Sequence, residues 1–250
     1  MLSLKSKTLI ILPHLDDEFA LTPLLKEMSK NGSDSIKLIY CSERIKSSYR
    51  NQKKRRLDNK RSLKLFGIDI NQVIYLNDFL KVEDNFLYKS NLKVFNFLKK
   101  LFEEEFFNQV FTLNFEGGHP DHDQLAIIIS NLERLYKFKA FYFPAYNAGS
   151  NLFCPFSVLR PLKSQQHLSK NIEFKRFCWV LSLKVALTYS TEKFAFLMLF
   201  PTLLFKTFFS KNILYFDQIH IFSVIWEKSL SYKRYKLPYS EIEKLINSIQ

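Results

Sequence analysis

Short apolar runs alternate with longer segments of helical spacing through the first half of the chain. The runs are bounded by turn-forming residues and predict five strands, at 7–12, 35–41, 72–76, 109–113 and 140–143. The segments between them have helical spacing, which predicts helices over 19–31, over the basic segment to 66, over 92–105 and over 123–136. Strands that alternate with helices form βαβ units, so the pattern predicts a mainly parallel sheet covered on both faces.

The pattern after residue 150 is less regular. It predicts a helix over 176–189 and strands over 212–216 and 219–225. No internal repeat and no Gly/Ser-rich linker divides the chain. We therefore expect residues 1–250 to form one domain of the α/β class, with a Rossmann-like, mainly parallel sheet. Its motif-bearing core is expected over about 7–190 and a variable C-terminal segment over about 191–250.

The longest apolar stretch, residues 194–205, is shorter than the roughly 20 residues that a membrane-spanning helix needs. Pro201 also interrupts it, so we expect a buried core helix, with an interfacial segment that leans on a membrane as the alternative. The first 12 residues show no signal-peptide cleavage pattern, and the 3 cysteines form no CxxC pair. These features indicate a cytoplasmic, reducing compartment, with a peripheral position at the inner face of the membrane left open.

Positive charge is concentrated in one window of the chain. The formal net charge is +13, and the window 44–64 holds ten basic residues against the single acid Asp58. Such a run is typical of a solvated helix face, and it could also contact an anionic lipid or an acidic substrate. No zinc-finger spacing, helix-turn-helix pattern or aromatic RNA-binding signature accompanies it, so we do not expect nucleic acid as a partner.

Two polar segments directly follow predicted strands. Residues 13–18 read PHLDDE after the first strand, and residues 117–123 read GGHPDHD after the fourth. Together they hold three of the 5 His and two of the 5 Gly in the chain. Ligands of parallel sheets bind at the carboxyl ends of the strands, so both segments lie where chemistry is expected.

His14 and Asp17, three residues apart around a turn, can face a common point, and His122 could join them from the other segment. Two imidazoles and one carboxylate are a common ligand set for catalytic zinc, which keeps a fourth position open for water. Zinc held there would lower the pKa of that water toward ~7 and polarise a substrate carbonyl.

The remaining polar residues of the two segments suggest proton transfer. Asp16 is not needed as a ligand and could act as general base. His119 could stabilise an oxyanion or protonate a leaving amine, and Asp121 could orient the His119 imidazole. Gly117 and Gly118 would allow close approach of the backbone to substrate.

These motifs resemble those of the PIG-L/LmbE-like zinc-dependent deacetylases, which act on N-acetylglucosamine-type sugars. The first family motif, HPDDE, stands here as residues 14–18, and the second, HxDH, as residues 119–122. Two degenerate patterns extend the resemblance: a middle one at Arg55, Asp58, Ser62, Phe66 and Gly67, and a later one at residues 184–191.

The resemblance implies residue roles that agree with the chemical interpretation. His14, Asp17 and His122 would bind zinc, Asp16 would be the general base, and His119, supported by Asp121, would stabilise the tetrahedral intermediate. An arginine of the middle pattern, an acid after the third strand and a residue near the second-strand loop would contact the sugar; these positions match Arg55, Asp78 and Glu43.

The chain departs from the family pattern at several places. Leu15 replaces the usual Pro, Asp58 replaces Glu, Ser62 replaces Ala and Thr191 replaces Gln. These changes keep the expected ligands and bear on the substrate. The leading hypothesis is hydrolysis of a sugar acetamide in the biosynthesis of a surface polysaccharide, a glycolipid or a related glycoconjugate. The alternatives are a metal-dependent phosphoesterase and a non-catalytic protein that binds an anionic or membrane partner. In a mixed version, the basic helix and the apolar stretch bring the enzyme to a lipid-linked glycan.

Overall fold

A five-stranded sheet in which all strands run parallel forms the centre of the fold. The computed structural model describes residues 6–30, 32, 35–147, 158–175 and 178–219. The order of the strands is β3-β2-β1-β4-β5, and each lies within one residue of its predicted bounds. The strands are β1 (Thr8–Leu12), β2 (Ile36–Tyr40), β3 (Val73–Tyr75), β4 (Gln109–Leu113) and β5 (Lys139–Phe143).

Helices cover both faces of this sheet, which confirms the α/β class. Alternate residues of β1 point to opposite faces, so Ile10 joins one hydrophobic cluster and Ile11 the other. The cluster around Ile10 includes residues of α1, α2, α5 and α6, whereas the cluster around Ile11 includes α3 and α4. The helices are α1 (Thr22–Lys30), α2 (Tyr49–Leu65), α3 (Asn91–Glu104), α4 (Pro120–Tyr136), α5 (Val180–Thr188) and α6 (Lys193–Phe209).

The strand order reverses beside β1. The chain builds outward from β1 to β2 and β3, and then returns to add β4 on the other side of β1. The loops that leave the carboxyl ends of β1 and β4 therefore diverge from neighbouring strands, and a crevice for ligands forms at such a point. Residues 13–18 and 117–123 lie in these two loops and in the first turns of the helices that follow them.

The starts of two helices differ from the prediction. A 3₁₀ turn, Asp17–Leu21, precedes α1, so the helix begins at Thr22 instead of residue 19. Helix α4 begins at Pro120 instead of residue 123, because proline fits the first turn of a helix, where its missing N–H is not needed. The His119 side chain caps this helix by accepting a hydrogen bond from the Asp121 N–H. The second histidine motif therefore lies on the first turn of α4.

The later part of the chain adds a small antiparallel sheet and two helices. Strand β7 (Asn212–Tyr215) was predicted, whereas its partner β6 (Lys170–Glu173) was not, because three of its four residues are polar. Helix α5 is shorter than the predicted 176–189. Of the predicted strand 219–225, all but Ile219 lies outside the described residues, and Ile219 is not in a strand.

Helix α6 corrects the expectation of a buried core helix. Phe196, Leu199 and Leu203 pack into the core, but the opposite side of the helix is exposed. Pro201 lies on that exposed side and does not end the helix. Among the described residues, no helix combines the length and apolar character needed to cross a membrane.

Candidate metal centre and active site

Three side chains from the two motif loops converge at the carboxyl ends of β1 and β4. His14 Nδ1 lies 3.1 Å from Asp17 Oδ2 and 3.4 Å from His122 Nε2, and His122 Nε2 lies 3.4 Å from Asp17 Oδ1. All three residues are buried. The structure thus brings together the three side chains that the sequence analysis predicts to be metal ligands.

The spacing of these atoms fits a tetrahedral metal ion. Ligands at 2.0–2.2 Å from zinc at tetrahedral angles are separated from one another by about 3.3–3.6 Å, close to the distances found here. The donor set also suits zinc, since two imidazole nitrogens and a carboxylate leave a fourth position open. Burial alone would lower the pKa of His14, but Asp17 and Asp121 outweigh it and hold that pKa well above its usual value. The cluster therefore favours a positive charge at its centre.

The carboxylate of Asp121 orients His14. Its Oδ2 lies 3.1 Å from His14 Nε2, and the carboxylate also accepts hydrogen bonds from the backbone N–H groups of Asn85 and Leu87, at 2.6 and 3.0 Å. Because a carboxylate oxygen accepts, a neutral His14 that binds an ion would carry its hydrogen on Nε2 and direct the lone pair of Nδ1 toward Asp17. A second carboxylate that orients a histidine in this way is typical of zinc sites.

This contact modifies the prediction that Asp121 supports His119. The backbone N–H of Asp121, not its carboxylate, donates to His119 Nδ1 at 3.2 Å. The hydrogen of His119 must then be on Nε2, which lies 3.0 Å from Asn85 Oδ1. The imidazole is held by the start of α4 on one side and by Asn85 on the other.

His119 offers an alternative ligand to Asp17. One nitrogen from each of His14, His119 and His122 lies within 4.8 Å of the others, so the three histidines could also hold an ion. The set with Asp17 has shorter separations, and both nitrogens of His119 already have hydrogen-bond partners. We therefore favour His14, Asp17 and His122 as the ligands.

Arg55 links Asp16 to two further acids. Its Nη2 donates to Asp16 Oδ1 at 2.9 Å, its Nη1 pairs with Asp84, and its Nε lies 3.4 Å from Glu192 Oε1. The guanidinium is almost fully buried, and burial acts to lower its pKa, but the three carboxylates raise it well above the usual value. Arg55 is therefore a permanent cation that fixes the Asp16 carboxylate beside the candidate metal ligands.

Asp78 and Glu43 form a separate ion-pair cluster with Arg56. Arg56 donates two hydrogen bonds to Glu43 Oε1 and one to Oε2, and its Nη1 lies 2.8 Å from Asp78. Successive residues of a helix point about 100° apart, so Arg55 faces the motif loops while Arg56 faces away from them. The structure does not bring half-exposed Asp78 to the metal ligands. The acid after β3 that does reach Arg55 is Asp84.

Helix α2 supports the first motif loop through a buried polar face. Asn59 donates to the Leu15 carbonyl at 2.7 Å and to the Tyr189 hydroxyl at 3.0 Å. Asp58 accepts from the Ser190 hydroxyl at 2.8 Å and from the Thr191 N–H at 3.2 Å. The two degenerate patterns of the sequence therefore meet each other in space and hold the first motif loop in place.

The last residue of the first motif, Glu18, is fully buried. Its carboxyl group bonds the hydroxyls of Tyr40 and Tyr189. Burial raises the pKa of Glu18 to about 8, so the group is mainly protonated at neutral pH. Its role is to connect the first motif to the core.

The two glycines of the second motif serve the protein backbone. A Cβ on Gly118 would lie 1.4 Å from the carbonyl oxygen of Tyr146, so only glycine fits there. Gly117 has φ +67° and bridges Asn147. Both glycines thus lie against the loop after β5, and the prediction that they allow close approach of the backbone to substrate stays a prediction.

Three site residues escaped the sequence analysis. Asp84 and Asn85 lie in a loop without strand or helix periodicity, and a turn-forming Asp-Asn pair was their only signal. Glu192 lies in the segment that we expected to be variable, although it directly follows the second degenerate pattern. It occupies the N-cap position of α6 and also pairs with Arg44 at 2.9 Å.

A cavity of about 270 Å³ opens beside Arg55. It lies between the start of α2 and the residues that precede α6, and Glu43 forms part of its wall. Because Arg55 also contacts Asp16, this cavity adjoins the candidate active site. Its lining is Glu43, Arg44, Ser47, Asn51, Gln52, Lys54, Arg55, Ser190 and Thr191.

The chain is thus a parallel α/β protein in which a cluster of His and Asp side chains that could hold a metal ion lies at the switch point of the sheet. The family model described as "PIG-L: GlcNAc-PI de-N-acetylase" matches residues 9–132, which include both motif loops. The chain belongs to the PIG-L family. None of the curated proteins matches the chain.

Several solved structures share the fold. The A40926 pseudoaglycone deacetylase superposes with a TM-score of 0.55 at 13% identity, over 85% of this chain and 97% of its own. A deacetylase of teicoplanin biosynthesis superposes with a TM-score of 0.54 at 13% identity, over 74% of this chain and 84% of its own. A conserved protein from Thermus thermophilus superposes with a TM-score of 0.51 at 14% identity, over 85% of this chain and 94% of its own. At such identities the likeness shows the shared fold.

Proposed function

We propose that this protein is a zinc-dependent hydrolase that removes the N-acetyl group from an N-acetylated amino sugar or sugar conjugate. The observation that carries the proposal is the cluster of His14 Nδ1, His122 Nε2 and the Asp17 carboxylate, with Asp16 held alongside by Arg55. Membership of a family described as a de-N-acetylase supports the reaction type, and so does a fold shared with the teicoplanin-pathway and A40926 pseudoaglycone deacetylases.

In this proposal His14, Asp17 and His122 hold the ion. When bound, zinc lowers the pKa of a water molecule and polarises the amide carbonyl. Asp121 keeps the lone pair of His14 directed into the cluster through its contact with Nε2. Metal affinity therefore depends on Asp121, which does not itself belong to the ligand set.

Asp16 and His119 divide the proton chemistry. Asp16, fixed by Arg55, accepts a proton from the attacking water. The Nε2–H group of His119, which contacts Asn85 Oδ1, can instead donate a hydrogen bond to the carbonyl oxygen of the substrate as negative charge develops there. When the C–N bond breaks, acetate leaves and the amine takes up the proton that Asp16 had accepted.

We place the sugar conjugate in the cavity beside Arg55. Glu43 lines that cavity and remains a candidate substrate contact, and Arg55 forms the boundary between the cavity and Asp16. Asp84 takes the position that the resemblance gave to Asp78, because Asp84 is the acid that reaches Arg55.

The experiment that tests this function is acetate release from N-acetylated sugars, nucleotide sugars and lipid-linked glycans, with and without chelator. Asp16→Asn should retain zinc and lose about 10²–10⁴-fold in turnover, the usual contribution of a general base. Asp78→Asn is the matched control and should keep both. Wild-type turnover in Asp16→Asn would contradict the mechanism, and two ions per chain would favour a phosphoesterase.

We also propose a domain organisation and a cellular location for the protein. We propose one domain over residues 1–250, because the described residues after 190 pack on the same core and Glu192 reaches Arg55. We propose a cytoplasmic, reducing compartment, which the buried free thiols of Cys41 and Cys178 support. The partner is an N-acetylated sugar substrate.

A further inference from the structure

Helix α6 presents an apolar surface to solvent. Its exposed residues recur at spacings of three and four from Phe194 to Phe208, so they form a stripe along one side of the helix. The exposed fractions reach 66% for Phe194, 68% for Leu197 and 75% for Phe209. We call this stripe and its neighbours the α6 face; its members are Phe194, Leu197, Phe200, Leu204, Phe205, Phe208 and Phe209.

The α6 face remains largely exposed to solvent in the part of the chain that the structure describes. The buried side of the helix, with Phe196, Leu199 and Leu203, already anchors it to the core. A helix that is apolar on all sides is expected to be enclosed by protein or lipid. The neighbouring helix α5 also exposes an apolar residue, Leu187, which is 79% exposed. Exposed apolar patches of this extent mark interaction sites.

Positive charge lies in the same layer of the fold. Helix α5 packs against both α2 and α6, so the three helices form one side of the protein. Along α2, five exposed cations have no ion-pair partner among the described residues: Arg50, Lys53, Lys54, Lys60 and Lys64. Lys184 on α5 and Lys193 at the start of α6 are also exposed. This side of the molecule therefore combines aromatic side chains with unpaired positive charge.

We propose that the α6 face inserts into the interfacial region of an anionic lipid bilayer, with the cations of α2 at the level of the headgroups. Apolar side chains rimmed by Lys and Arg are the features by which a helix lies in the plane of a membrane surface. Crossing the bilayer is not required, and α6 has only 17 residues.

Charge also favours an anionic bilayer over a second copy of the chain. Each copy has a formal net charge of +13, and a two-fold dimer through this side would place the α2 cations of both copies near one another. Anionic headgroups instead neutralise those cations, each contributing about 1 kcal/mol near such a surface.

Docking in this orientation would place the candidate active site close to the membrane. Glu192 is the N-cap residue of α6, and its carboxylate pairs with Arg44 and Arg55 at the cavity. The cavity therefore opens next to the first turn of the docking helix. This step rests on the proposed function: the substrate would be an N-acetylated sugar carried by a membrane lipid.

Sedimentation of the full chain with vesicles tests the docking surface. Wild type should bind vesicles that contain phosphatidylglycerol, and should bind pure phosphatidylcholine vesicles less well. Phe194→Ser with Leu197→Ser and Phe208→Ser should weaken the partition constant by about tenfold or more. The matched control is Leu92→Ser with Leu135→Ser, which removes exposed apolar residues from α3 and α4 on the other face of the sheet and should bind as wild type.

A second pair of variants tests the charge. Lys53→Gln with Lys54→Gln should weaken binding to the anionic vesicles, whereas Lys93→Gln on α3 should not. Equal binding by the α6-face variant and wild type would overturn the proposal, as would a wild-type dimer that this variant converts to monomer. Activity on a water-soluble N-acetylated sugar separates the two proposals. The α6-face variant should retain this activity. A wild-type protein without this activity would count against the proposed function only.

Discussion

The Asp121 carboxylate lies 3.1 Å from His14 Nε2 and thereby fixes which nitrogen of His14 faces the other candidate ligands. Two backbone N–H groups, those of Asn85 and Leu87, hold the carboxylate in turn. The loop after β3 therefore supports the candidate metal centre although it contributes none of the proposed ligands. A change that moves the N–H of Asn85 or Leu87 is expected to act on a bound metal through Asp121 and His14.

We predict that Asp121→Asn weakens zinc binding about 10–100-fold, the usual effect of removing a carboxylate that orients a ligand histidine. The amide can present an N–H to His14 and so favour the wrong tautomer. Competition with a fluorescent chelator measures the affinity. Asp78→Asn, a half-exposed carboxylate on Arg56, should leave it unchanged. Equal zinc affinities of wild type and Asp121→Asn would show that the contact does not orient His14.

Arg55 should also be essential for stability. It is buried among Asp16, Asp84 and Glu192, so its removal leaves buried negative charge without compensation. We predict that Arg55→Met lowers the free energy of unfolding by about 3–5 kcal/mol, measured by urea denaturation.

A control variant and a double variant test whether the loss of stability comes from the buried ion pairs of Arg55. Arg50→Met, at an exposed position of the same helix, should change the free energy of unfolding by less than about 0.5 kcal/mol. Adding Asp84→Asn to Arg55→Met should recover part of the loss, because the pair interacts directly. Strict additivity of the two changes would rule out this coupling.

The strands and the meeting of the two motif loops could be predicted from the sequence because each depends on local signals. Apolar runs between turn residues mark strands, and rare histidines directly after two of them mark the candidate metal site. Parallel topology then brings the loops together without further information. The proximity of His14, Asp17 and His122 follows from this reasoning, and their role as metal ligands stays a prediction.

The remaining features depend on tertiary contacts that leave no periodic trace. Asp84 and Asp78 both follow β3, and only the direction in which Arg55 leaves α2 selects Asp84. The exposure of α6 could not be predicted for a similar reason. Its buried and exposed sides are both apolar, so the pattern has no polar face to indicate which side meets the core.

Gly118 should tolerate no side chain. A Cβ there would overlap the Tyr146 carbonyl, so Gly118→Ala has to displace either the second motif or the loop after β5. We predict a loss of about 3 kcal/mol or more in the free energy of unfolding, together with weaker zinc binding. Gly67→Ala is the control: its φ is +71° but no atom lies within 4 Å of the added Cβ, so only strain of about 1–2 kcal/mol is expected. A larger loss for Gly67→Ala than for Gly118→Ala would contradict the argument.

The buried carboxyl group of Glu116 should make the free energy of unfolding depend on pH. The side chain is buried, one oxygen accepts from the Ala145 N–H at 2.8 Å, and burial raises its pKa well above the usual value. Between the ordinary carboxyl pKa and this raised pKa the folded state holds a proton that the unfolded state has lost. The contribution of Glu116 to stability therefore falls as pH rises through that window. Glu116→Gln should make the free energy of unfolding decline less steeply from about pH 5 to pH 8, whereas Glu173→Gln, at an exposed position, should leave the slope as in wild type. Identical slopes for Glu116→Gln and wild type would mean that Glu116 is already ionised in the folded protein.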